Sequence, residues 1–109
     1  LPVVLPHNKS TWAQYTVRVK NRPLVQQLMT EAGIPTAVHY PTSLYRQPAL
    51  KQSTIECEQS DRAANEVLSL PMHPYLTDEI QKQIAKCLSE AIDASGASPS
   101  FSNKENSVV

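Results

Sequence analysis

Neither sign of charge prevails in this sequence, where ten Lys and Arg are matched by ten Asp and Glu across 109 residues. A balanced surface does not steer a chain towards nucleic acid or an anionic membrane. No apolar run is long enough to span a bilayer. No signal peptide is expected, since Leu1 to Leu5 lacks a basic lead and the start is broken by Pro2 and Pro6. The expected setting is cytoplasmic. Only two cysteines occur, Cys57 and Cys87. They offer no disulfide framework, so two free thiols are expected. The candidate metal ligands His7, His39, Cys57, His73 and Cys87 are scattered, without the close Cys or His pair that zinc sites use. No internal repeat is visible. The chain begins with Leu rather than Met, as expected of a fragment or a processed product.

What is present suits one small domain with a modest core. Residues 1 to 10 read as a lead-in segment or short edge strand. From Trp12 to Val19, apolar Ala13, Tyr15, Val17 and Val19 alternate with Gln14, Thr16 and Arg18, the period of a half-buried strand. Asn21 is placed to cap a helix, and Pro23 fits only its first turn. That helix is predicted from about Arg22 to Ala32, with Leu24, Val25, Leu28, Met29 and Ala32 inward and Gly33 as C-terminal cap. Thr36 to Tyr40 reads as a short strand, with Val38 and Tyr40 on one face and Ala37 and His39 on the other.

Residues 41 to 59 carry little regular pattern. Ser60 or Asp61 is expected to cap a second helix reaching Leu68, with Ala63, Ala64 and Val67 inward. A short strand is predicted over Leu68 to Met72. Thr77 caps a third helix whose first turn holds Asp78 and Glu79, where the helix dipole favours negative charge. Its apolar stripe is Ile80, Ile84, Cys87, Leu88 and Ala91. The composition changes after Ile92. Residues 93 to 109 are polar and are predicted to be a disordered tail. The fold class is therefore α/β, a small sandwich of helices on about three strands, with the domain over residues 1 to 92.

The unusual content lies in three proline-framed stretches: Gly33-Ile34-Pro35-Thr36-Ala37-Val38-His39-Tyr40-Pro41, Leu44-Tyr45-Arg46-Gln47-Pro48-Ala49, and Leu68-Ser69-Leu70-Pro71-Met72-His73-Pro74-Tyr75-Leu76-Thr77. Proline holds such backbone rigid and non-helical. Rigid loops that present Tyr and His are where binding chemistry tends to sit. On the residues alone, His39 reads first as a satisfied strand-end histidine, with a contact residue as the alternative. Tyr40 reads equally as a core or interface tyrosine. His73 and Tyr75 read as structural, and Met72 and Pro74 as closing the core beneath the last helix. Arg18 and Arg22 read as solvated charges.

These strings, with Trp12-Ala13-Gln14-Tyr15-Thr16-Val17-Arg18 and Asn21-Arg22 before them, resemble the C-terminal domain of the DegT-type sugar aminotransferases. The similarity covers about residues 10 to 92 and is nearest to the enzymes that aminate UDP-2-acetamido-3-oxo-glucuronate for surface polysaccharide, such as lipopolysaccharide O-antigen. The resemblance implies the small domain of the aspartate-aminotransferase type (fold type I), following a large domain that holds pyridoxal phosphate. It also implies glutamate as amino donor, a nucleotide-linked keto-sugar as acceptor, and a homodimer. It assigns His39 and Tyr40 to sugar contact. Ser43 stands where relatives often have Pro, and Tyr45 where they often have His. None of the lysines, at 9, 20, 51, 82, 86 and 104, sits in a Ser-Lys-type cofactor motif, so none is given the Schiff-base role and no residue is assigned to catalysis. The competing expectation is a non-catalytic remnant domain that binds a protein or a sugar.

Overall fold

The computed structural model describes residues 1–50, 54 and 56–96. The elements follow in the order β1 (Tyr15–Arg18), α1 (Arg22–Glu31), α2 (Glu58–Glu66), β2 (Val67–Leu70) and α3 (Asp78–Ala94), with single 3-10 turns at Leu44–Arg46 and Pro48–Leu50. β1 and β2 pair antiparallel, with Tyr15 opposite Leu70, Thr16 opposite Ser69 and Val17 opposite Leu68. The alternation of a strand then divides the faces. Val17 and Leu68 are buried in the core, with Tyr15 and Leu70 partly buried beside them. On the other face the hydroxyls of Thr16 and Ser69 share a 2.8 Å hydrogen bond.

The expected strand over Thr36 to Tyr40 contributes a single bridge, Ala37 opposite Ser69. Among the described residues, the sheet therefore has two strands and one bridging residue rather than three strands. Val38 packs against the core, whereas Tyr40 is exposed, so the strand period ends before Tyr40. Pro41 removes a donor and restricts the residue ahead of it, which limits further pairing. The His39–Tyr40 peptide is cis.

α1 lies against α3 and buries Val25 and Met29 completely, as Leu68 of β2 is buried. Each such side chain contributes about 1.5–3 kcal/mol of transfer free energy. Ala32, expected inward, is instead the exposed C-cap of α1. The helix ends in paired reverse bonds, Gly33 N–H to the Thr30 carbonyl and Ile34 N–H to the Met29 carbonyl, both 2.9 Å. Gly33 takes φ +75°, the left-handed region that glycine enters without a Cβ penalty. Buried Ile34 and Met29 complete the motif. Asn21 occupies the N-cap position but its side chain caps nothing. It serves through its backbone, at φ 48°, a conformation that Asn tolerates better than most residues.

α2 begins at Glu58 with Cys57 as N-cap, three or four residues before the expected cap at Ser60 or Asp61, and ends at Glu66 rather than Leu68. It runs into β2 with no intervening loop. Arg22 holds this junction rather than projecting as a solvated charge, whereas Arg18 stays exposed while pairing across it. Arg22 Nη1 donates to the carbonyls of Ala64 and of Val67, the latter at 3.4 Å. Arg18 pairs with Glu66 at 2.6 Å, and Val19 N–H donates to the Glu66 carbonyl at 2.9 Å.

α3 starts as expected, with Thr77 Oγ1 accepting from Ile80 N–H at 3.3 Å. The Glu79 carboxyl in its first turn is lowered by its own backbone N–H and then by the Thr77 hydroxyl. Ile84 and Ala91 are buried, and Cys87, Leu88 and Ile92 pack at the core edge. Ile80 is largely exposed. Met72 and Pro74 are exposed too, and Leu76 is the residue of that turn that packs on the core. Both cysteines are free and half-buried. α3 continues through Ala94 with Gly96 at φ +67° beyond it, two residues past the expected boundary at Ile92. The remainder of the tail prediction, residues 97 to 109, lies outside the described residues.

Candidate functional site

The stretch from Ala37 to Arg46 is irregular, yet it is held at both ends. At the first end, Ala37 N–H donates to the Ser69 carbonyl at 3.0 Å, and Ser69 N–H returns a 2.7 Å bond to the Ala37 carbonyl. At the second end, one carboxylate in the first turn of α2 collects four donors. Asp61 accepts from Ser43 Oγ at 2.6 Å, from the Tyr45 hydroxyl, and from Arg46 Nε and Nη2 at 2.7 and 2.6 Å. The Arg46 fork is bidentate, the stronger and more directional form of ion pair. The Arg46 guanidinium also lies 5.1 Å from the Tyr45 ring centre.

The electrostatics follow from this convergence. Hydrogen bonds from Arg46, then from Ser43 and Tyr45, hold the Asp61 carboxyl well below the usual carboxylate range. The bond to Asp61 raises Arg46 further above its ordinary value. The Tyr45 phenol is raised for the same reason first, and by desolvation second. Ser43 is buried, so its hydroxyl needs this partner.

Between the two anchors lie Val38, His39, Tyr40, Pro41 and Thr42. His39 is half-buried and Tyr40 is 75% exposed. Their ring centres are 5.7 Å apart at 51°. The structure thus brings His39 and Tyr40 together on one fixed stretch. It offers an imidazole that donates and accepts, and a phenol with an apolar face and a polar tip. His73 and Tyr75 form a separate exposed turn in which Tyr75 N–H donates to His73 Nδ1 at 3.2 Å.

Two expectations change here. Asp61 does not cap α2; it clamps the loop. Ser43 and Tyr45, departures from the resembled pattern, are both partners of that clamp. Neither periodicity nor a motif signalled it, because Asp61 stands 15 to 18 residues from its donors.

An open groove of about 580 Å³ lies along the N-terminal segment, lined by Val3, Leu5, Lys9 and Trp12 among others, and includes neither His39 nor Tyr40. Among the described residues, no group of three or more His, Cys, Asp or Glu is arranged for a metal ion, and no helix is long and apolar enough to cross a membrane. A carbonyl cofactor held through lysine requires a sheltered, desolvated amine. Lys9, Lys20, Lys82 and Lys86 are all exposed, and Lys86 faces Glu90 at 3.8 Å. Among the described residues, these lysines therefore do not offer such an amine. Lys51 and Lys104 lie outside the described residues.

Comparison with known proteins gives this geometry its family. The chain is 47% identical over 87 residues to a UDP-2-acetamido-2-deoxy-3-oxo-D-glucuronate aminotransferase of Pseudomonas aeruginosa, a match covering 80% of this chain and 24% of that protein. It is 30% identical over 89 residues to a dTDP-3-amino-3,6-dideoxy-alpha-D-galactopyranose transaminase of Aneurinibacillus thermoaerophilus, covering 81% of this chain and 24% of that one. The crystal structure of a DegT DnrJ EryC1 StrS aminotransferase from Brucella abortus superposes with a TM-score of 0.73 at 30% identity, over 84% of this chain and 25% of that chain. This chain spans about a quarter of the length of the relatives it matches. Residues 1–89 match the family's sequence profile, and the chain belongs to the DegT/DnrJ/EryC1/StrS aminotransferase family.

Proposed function

We propose that the whole protein transfers an amino group from glutamate to a nucleotide-linked keto-sugar, and that this chain forms one wall of the sugar site. The likeness to the Pseudomonas aminotransferase supports a 3-oxo-glucuronate sugar carried on UDP. Pyridoxal phosphate then belongs to the part of the protein outside this chain, where it accepts and donates the amino group. The part played here is binding and orientation. Residues 1 to 94, through the end of α3, act as the small domain, and the working unit is a cytoplasmic homodimer.

The observation that carries the reading is the anchored pair His39 and Tyr40. The Tyr40 phenol is 75% exposed, so both its ring face and its hydroxyl are open to contact. His39 and Tyr40 then hydrogen-bond the sugar's hydroxyls or its uronate carboxylate, and the Tyr40 ring packs on the sugar's apolar face. Holding the acceptor in one orientation is itself a large part of catalysis.

In the full-length enzyme, His39→Ala is expected to lower kcat/KM for the keto-sugar by about ten- to a hundredfold and to leave the cofactor absorbance intact. Unchanged kinetics would remove His39 from the site. The isolated chain mixed with pyridoxal phosphate is expected to give no borohydride-fixed adduct on a single lysine. A stoichiometric adduct there would return the cofactor role to this chain.

A further inference from the structure

We propose that Asp61 is a positioning residue for the sugar site, setting where His39 and Tyr40 stand. The inference rests on the reading that these two rings contact the keto-sugar. A loop of this kind needs a fixed point on each side of its functional residues. The first, the Ala37–Ser69 bridge, is a pair of backbone bonds to β2. The second depends on side chains, and three of them converge on the single Asp61 carboxylate.

Asp61 has a firm base of its own. α2 is bound at its far end by Arg22, on α1, and it passes directly into β2. The clamp therefore refers the loop to the same strand that carries the first anchor. Loss of the carboxylate would free residues 42 to 47 on one side while the Ala37 end stays in place. His39 and Tyr40 would then swing about the Ala37 anchor rather than unfold. Small displacements of that kind weaken binding of an oriented substrate.

Asp61→Asn is the direct variant. An amide retains one accepting oxygen but cannot receive both arms of the Arg46 fork and the two hydroxyls together. The full-length enzyme is assayed with glutamate and UDP-2-acetamido-2-deoxy-3-oxo-D-glucuronate. Affinity for the corresponding 3-hydroxy sugar nucleotide is measured separately by calorimetry. Expected are a KM for the keto-sugar and a Kd for the 3-hydroxy compound each raised about tenfold, with the KM for glutamate close to wild type. Asp61→Glu, which keeps the charge, restores most of the loss. Tyr45→Phe removes a single donor. Its expected rise is smaller and in the same two constants, and it decides the matter if Asp61→Asn does not fold.

Unchanged sugar constants in these variants would overturn the proposal. So would a loss shared equally by glutamate and sugar, which is the mark of general destabilisation. Wild-type enzyme that does not aminate the keto-sugar overturns the functional reading and this inference with it. Silent Asp61 variants beside an impaired His39→Ala overturn this inference alone.

Discussion

Two irregular stretches of this chain, residues 1–14 and 37–50, are built from similar material and end in different conditions. Each contains two prolines and each exposes large apolar side chains: Leu1, Val3 and Leu5 in one, Tyr40 and Leu44 in the other. Among the described residues, the N-terminal stretch makes only short-range hydrogen bonds, Asn8 N–H to the Leu5 carbonyl and Trp12 N–H to Ser10 Oγ. The later stretch is tied to β2 by backbone and to α2 by three side chains. Proline alone does not place a loop. Placement comes from partners distant in sequence, and it is the placed loop that carries the His-Tyr pair.

The contrast can be attacked first at its foundation. Leu68 is fully buried in β2, which anchors one loop end and directly continues α2, the anchor of the other, so Leu68→Ala should cost about 2–5 kcal/mol. Denaturant unfolding of the full-length protein measures it. A cost under about 1 kcal/mol would mean that the platform collapses to fill the gap. Next comes the junction. Arg22→Ala removes a charged donor from two carbonyls of a half-buried helix end and should cost about 1.5–3 kcal/mol. Arg22→Lys should recover only part, because an ammonium lacks the fork.

The clamp is open to acid. A carboxyl depressed in the folded state stabilises it above the unfolded value, about 4, and that contribution is lost as pH falls from there towards the depressed folded value. The amides of Arg46 and Gln47, which donate to Ser43 and Leu44 at 3.0 Å, should keep constant exchange protection from neutral pH down to about 5. They should lose it only below about 4. Loss near pH 6 would show that Asp61 is not the group that holds the turn. The smallest effect belongs to the other stretch. Leu5→Ser should shift stability by no more than about 0.5 kcal/mol in the isolated chain. A larger cost in the full-length protein than in the isolated chain would mean that this segment is covered there.

What could be read from the sequence divides along the same line. α1 and α3 were legible because their apolar spacing and their ends, Pro23, Gly33 and Thr77, are local signals. β1 starts at Tyr15, three residues later than the alternation implies, because Trp12 to Gln14 continue the pattern while lacking a partner strand. The third strand shrank to Ala37, because pairing depends on a neighbour and periodicity does not report one. His39 and Tyr40 stood out by residue type and by resemblance. Asp61, Arg18 and Arg22 did not, since each acts on groups 15 to 48 residues away. A charged side chain in an amphipathic pattern reads as solvated until its partner is known.

The direct passage from α2 into β2 has a consequence for how this segment can vary in length. Four residues separate Asp61 from Val67's predecessor Glu66, and no flexible residue stands between helix and strand to absorb a change. One added residue within α2 would turn Asp61 by about 100° around the helix axis relative to the strand, away from Arg46. If the strand slid instead, its core and outer faces would exchange. The rotational phase of the helix is thus geared to the pleat of the strand. Insertions and deletions should be confined to the span before Cys57, and the distance from Asp61 to Leu70 should be invariant in any working version of this domain.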